Sequence, residues 1–177
     1  MNLHAPAWWS VLVLLVGCAG PRPAPISPTV PLTLTALDGQ QLDLEAGLAR
    51  GETVALVVWQ TWCGPCAREA PRVVRAAREH GERIRFVGVV PGRDVDDAKL
   101  RTVAERWGYD AFPQVRDPDF SLIDGLGVVG TPTVLVLGRD REVLYRDHHT
   151  PPSWDDYHGE PLPPGECEGG VCPLPGR

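Results

Sequence analysis

The sequence predicts an α/β fold: a mixed β-sheet flanked by helices, with a β-hairpin leading in and a Pro-rich C-terminal tail leading out. Three observations carry this. Residues 54–59 (VALVVW) and 84–90 (IRFVGVV) are continuous apolar runs rich in β-branched side chains, the pattern of strands buried on both faces. Residues 63–80 and 96–107 carry apolar side chains at helical spacing. Residues 133–137, a turn over 138–141 and residues 142–146 read as two antiparallel strands.

The elements follow in order. Residues 32–37 and 40–44 alternate apolar and polar positions around Asp38-Gly39, a tight-turn pair, and so predict the hairpin. The first helix should bury Cys66, Ala70, Val73 and Ala77 on one stripe, and the second Leu100, Val103, Ala104 and Trp107. Asp96 and Asp97 open that second helix, where the dipole favours negative charge. Residues 121–126 form a short helix. A right-handed βαβ crossover followed by the final hairpin then closes a mixed sheet.

A chain of 177 residues with 43% hydrophobic and 23% charged residues holds one ordinary domain plus tails. A net charge of -6 provides no basic field for nucleic acid. Residues 7–16 (AWWSVLVLLV) are apolar but far short of the ~20 residues of a spanning helix, so residues 1–17 read as a signal peptide. Leu15-Val16-Gly17-Cys18 resembles the bacterial lipobox, which implies lipidation of Cys18, although no Lys or Arg precedes the apolar run. Ala19 rather than Asp follows that cysteine, which by the same resemblance favours the outer membrane if the organism is double-membraned. Residues 18–31 include five prolines between positions 21 and 31 and are expected to form an extended tether. Residues 32–146 form the domain, and 147–177 a Pro-rich tail carrying Cys167 and Cys172. With Cys18 given to lipid, the four remaining cysteines fall into two sequence-local pairs, which suits an oxidising compartment.

The chemistry lies where the first apolar strand runs into WCGPCAREAP. A lone CxxC is weak evidence, because zinc sites share the spacing. Here Trp62 precedes it, a strand leads in and a helix leads out. A thiolate at a helix N-terminus is stabilised by unpaired N–H groups and the dipole, against an ordinary cysteine pKa of about 8.5. Cys63 is therefore the attacking sulfur, and Cys66, nearly one turn on, the resolving one. Pro65 suits the first helical turn, and Gly64 lets another chain approach.

Together with Gly130-Thr131-Pro132-Thr133, this segment resembles the TlpA/ResA-like thiol-disulfide oxidoreductases of the thioredoxin-like superfamily, over residues 32–146. The resemblance implies a thioredoxin-like fold, a Cys63-Cys66 dithiol/disulfide cycle and no cofactor or metal. It implies a cis Pro132 against the cysteines, with Thr131 free to pair with an extended substrate. Glu69 matches the acid of a C-x-x-C-x-x-E pattern, where a carboxylate raises thiol pKa and accepts the resolving proton; a solvated glutamate pairing with Arg68 or Arg72 is the alternative. Val57 stands where thioredoxin carries an aspartate, which moves the proton route to Glu69 or water. Trp59 reads as core, and Trp62 as a rim residue that shields the thiol and contacts partners. His80 reads as a surface residue complementing the helix dipole.

The family's closing amphipathic helix is missing, so Trp154 and Tyr157 are expected to cover the sheet face instead. For Cys167 and Cys172 an inert disulfide, a redox relay and a Cys/His metal site all remain open. The expected function is reduction of disulfides in extracytoplasmic proteins by an enzyme fed from a membrane electron donor and anchored in the bilayer of the bacterial envelope, facing the periplasm or exterior. Two alternatives are an SCO-like copper chaperone, whose box would be C-x-x-x-C, and a redox-silent scaffold lipoprotein.

Overall fold

The expected hairpin is present in the computed structural model, which describes residues 25–93 and 95–162. Strands β1 (Thr33–Thr35) and β2 (Gln41–Asp43) pair antiparallel, and Gly39 adopts the positive φ of 91° that the turn requires. Helix α1 (Leu44–Arg50) follows, an element the sequence pattern did not reveal. It is capped by the Asp43 carboxylate, which accepts from the Ala46 N–H, and it ends at Gly51 in the left-handed region.

Strand β3 (Thr53–Val58), helix α2 (Gly64–His80), strand β4 (Ile84–Pro91) and helix α3 (Asp97–Trp107) then occupy the predicted segments within one or two residues. Strand β5 (Gln114–Asp117) was not expected: one polar, one apolar and two charged residues give no clear period. Helix α4 (Ser121–Gly125), strand β6 (Thr133–Leu137) and strand β7 (Val143–Asp147) complete the order. The sheet runs β5-β4-β3-β6-β7, with β3, β4 and β5 parallel and β6 and β7 antiparallel to their neighbours.

Central β3 is buried on both faces, as its composition demands. Ala55, Val57 and Trp59 point into the core under α2 and α3, and Val54, Leu56 and Val58 into the core under α1, α4 and the hairpin. Two register pairs position the site. Val58 sits opposite Thr133, and Val134 opposite Asp147. The chain leaving β3, the chain entering β6 and the chain leaving β7 therefore meet at one end of the sheet, where strand direction switches.

Both flanking segments dock further than the sequence suggested. Ile26 and Val30, assigned to the tether, are buried; the Ile26 N–H donates to the Arg141 carbonyl at 3.0 Å, and Arg141 donates to the carbonyls of Ser27 and Val30. Their apolar side chains cover the α1 face of the sheet, which prevents an extended tether from position 26 onward. After β7, residues 148–162 run back along α2 as a strap. Trp154 is 7% exposed and packs on Phe86 at 5.0 Å, the cover expected of it, with Tyr157 beside it. The strap ends with Glu160 donating to the Gly51 carbonyl and Leu162 to that of Glu82, at the opposite end of the sheet from Cys63. The boundary expected after residue 146 thus falls within continuous packing. Among the described residues, no helix is long and apolar enough to cross a membrane.

Candidate active site

Cys63 occupies the N-cap of α2 in an extended conformation, and its Sγ accepts the Cys66 N–H at 3.1 Å. The sulfur thus fills the position a capping hydroxyl or carboxylate would take, facing the free N–H groups of the first turn. Cys63 and Cys66 are joined as a disulfide, with Cα atoms 5.2 Å apart. Both cysteines are buried, Cys66 fully and Cys63 with 3% of its surface exposed. Pro65 lies in the first turn, and a Cβ on Gly64 would meet only Arg68 Nη1, at 3.7 Å. Trp62 beside them is 72% exposed, an apolar surface at the mouth of the site.

The peptide bond between Thr131 and Pro132 is cis, as the family resemblance implied. The β3–β6 register brings this loop to the same end of the sheet as Cys63. A groove lined by Pro65, Arg68, Arg72, Arg75, Thr131, Pro132, His148 and His149 runs beside it. Three arginines against one carboxylate, Glu69, give that groove a basic wall on a chain of net charge -6.

Glu69 is buried at this groove, not solvated. Its Oε1 accepts the Thr150 N–H at 2.8 Å and the Thr150 hydroxyl at 2.9 Å; Arg72 and His149 approach Oε2 at 3.3 and 3.5 Å. Burial pushes the carboxyl up, but the Thr150 hydrogen bonds, the His149 contact and the Arg72 charge outweigh it and hold the group below its ordinary 4.5. Glu69 is therefore a fixed negative charge and a weak proton acceptor. Beneath it, the Tyr109 hydroxyl donates to the Cys66 carbonyl at 3.4 Å. Burial, and then the Glu69 charge, push that phenol well above its usual range, so it remains a neutral donor.

Trp59 forms the floor. Its indole N–H donates to Gln114 Oε1 at 2.9 Å, while Gln114 Nε2 donates to the carbonyls of Tyr109 and Phe112. Gln114 lies directly over Gly88, where an added Cβ would sit 1.9 Å from its Oε1.

Cys63, Gly64, Pro65, Cys66, Glu69, Trp62, Thr131 and Pro132 thus gather at one end of the sheet, whereas Cys18, Cys167 and Cys172 lie outside the described residues. Sequence reasoning missed Thr150, Tyr109, Gln114 and the groove-lining His148, whose Nδ1–H donates to the Pro132 carbonyl at 2.6 Å. Only the β6–β7 register reveals that residues after β7 emerge beside the cysteines.

Residues 23–158 match the Redoxin family model. The chain is 27% identical over 116 residues to the thiol-disulfide oxidoreductase ResA of Halalkalibacterium halodurans, covering 65% of this chain and 63% of that protein. It is 28% identical over 134 residues to the thiol:disulfide interchange protein DsbE of Allochromatium vinosum, 75% of this chain and 70% of that one. The solved structure of MTB dsbF, in mixed oxidised and reduced forms, superposes with a TM-score of 0.57 at 27% identity, covering 72% of this chain and 93% of that chain. The chain thus spans less than two thirds of the ResA length.

Proposed function

The chain belongs to the Redoxin family, and from that premise we propose that it is a thiol-disulfide oxidoreductase that reduces disulfides of extracytoplasmic proteins. One observation carries the reading: a Cys63–Cys66 disulfide at the N-terminus of α2, at the same sheet end as cis Thr131-Pro132.

In the reduced enzyme the Cys63 thiolate attacks one sulfur of a substrate disulfide. That bond breaks, a Cys63–substrate bond forms, and the first substrate sulfur leaves as a thiolate that takes a proton from water. The Cys66 thiol loses its proton and attacks Cys63 Sγ, releasing the second substrate thiolate and leaving the Cys63–Cys66 disulfide. Two electrons pass to the substrate, and a membrane dithiol donor restores the enzyme. Glu69, held ionised by Thr150, raises the cost of a second negative charge nearby and so favours thiol over thiolate at Cys66 until attack; water carries the proton away.

The substrate strand lies against Thr131, with Trp62 covering its apolar side. The basic groove favours acidic residues near the target disulfide. Lipidation of Cys18 holds the enzyme on the outer face of a bilayer, in the outer membrane if there are two, facing the periplasm or exterior.

Trapping tests the reading. Cys66→Ser is expected to accumulate a mixed disulfide through Cys63, visible on non-reducing gels, while Cys63→Ser abolishes exchange. Equal trapping by both variants would overturn the assignment of attack to Cys63.

A further inference from the structure

At the end of α2 farthest from the cysteines, three ligating side chains converge. His80 is the last residue of that helix; Asp155 and His158 lie on the strap. His80 Nδ1 and His158 Nε2 are 2.9 Å apart, and Asp155 Oδ1 lies 3.8 Å from the first and 3.6 Å from the second. A single point lies about 2.0 Å from all three atoms, which is the bond length of zinc to imidazole nitrogen and carboxylate oxygen.

We propose that His80, Asp155 and His158 bind one divalent transition-metal ion of the zinc class, and that the ion pins the strap to α2. Two imidazoles and one carboxylate suit a borderline ion such as Zn2+ over Ca2+ or Mg2+, which take all-oxygen shells. The last carbonyls of α2 lie beside His80, and their partial negative charge favours a cation there. Trp154 stacks on the His80 ring with an interplanar angle of 29°, which fixes the imidazole's orientation without the ion. Asp155 is 78% exposed, so one side stays open for entry of the ion and for water to complete its shell. With the ion bound, both ends of the strap are fixed: Thr150 to Glu69 beside the cysteines, and Asp155 with His158 to His80 some three helical turns away. The sequence assigned His80 to helix-dipole complementation and left a Cys/His metal site open only for the tail around Cys167 and Cys172; that His158 meets His80 across 78 positions is a finding of the structure. The site is independent of the redox chemistry proposed above.

Zn2+ titration by calorimetry tests it, using the full chain with Cys63–Cys66 oxidised and all other thiols alkylated so that no thiolate competes. The expected result is one ion per chain at micromolar affinity near neutral pH, with a rise of several degrees in Tm at saturation. His158→Gln should weaken binding at least tenfold and abolish the Tm shift. Asp155→Asn, at an exposed position where the fold is not at stake, should weaken it several-fold. No binding up to millimolar Zn2+ overturns the proposal, as does binding that both variants leave unchanged.

Discussion

Glu69 illustrates how one side chain can be committed to a charge state by its neighbours. Its carboxylate is desolvated, yet it accepts two hydrogen bonds from Thr150 and faces Arg72. These contacts hold its folded-state pKa below the ordinary 4.5, so the group contributes stability that is complete above 4.5 and is lost as pH falls through the lowered folded value. Glu69→Gln removes the titration. The stability difference between wild type and Glu69→Gln, from urea denaturation at a series of pH values, is expected to be constant at neutral pH and to change only below 4.5. A difference that instead changes between pH 6 and 8 would place the Glu69 proton where a general base keeps it, contrary to this geometry. Gln114 is committed in the same way, with one amide satisfying an indole N–H and two carbonyls in the floor of the site.

Among the elements, the strap after β7 performs the covering role that the family pattern gives to a terminal helix. It has no regular secondary structure apart from one turn of 3-10 helix at Asp155–Tyr157, so its attachment depends on a few backbone hydrogen bonds at its ends and a few side chains. Trp154 is the largest of these and packs against Phe86, His80 and Tyr157. Trp154→Ala removes a buried aromatic and is expected to cost about 3–5 kcal/mol of unfolding free energy. A loss under about 1 kcal/mol, measured by urea denaturation, would mean that the strap adds nothing to the core. Because the same strap delivers Thr150 to Glu69, the destabilised variant should also show altered thiol reactivity at Cys66.

On the scale of the whole molecule, the course of the strap bears on Cys167 and Cys172. Leu162 is held to the Glu82 carbonyl, just past the end of α2. The 17 residues of α2 span about 25 Å from there back to the active-site cysteines. Cys167 follows Leu162 by five residues, which reach at most about 18 Å when fully extended. A link from Cys167 to Cys63 or Cys66 of the same chain would require those five residues to run nearly fully extended back along α2, while Cys172 lies close by in sequence across Gly169-Gly170. Peptide mapping of the unreduced protein is expected to find Cys167 joined to Cys172. A Cys63–Cys167 or Cys66–Cys172 peptide as the main species within monomeric protein would refute the pairing.

The sequence by itself determined the longer strands, the two main helices and the CxxC pair, because those signals are local. Burial on both faces leaves an unbroken apolar run in β3, one-sided burial leaves a stripe in α2, and a cysteine pair at a helix N-terminus leaves WCGPC in consecutive positions. Even the cis Thr131-Pro132 bond was legible, although only through the family pattern around it. The tertiary structure alone decided what came from far along the chain. Thr150 meets Glu69 across 81 positions, Trp59 meets Gln114 across 55, and His158 meets His80 across 78. No periodicity records such meetings, since each depends on strand register and on where an irregular strap settles. Helix α1 and strand β5 escaped for a related reason: they are too short to complete a pattern, and they are held by caps and by sheet pairing.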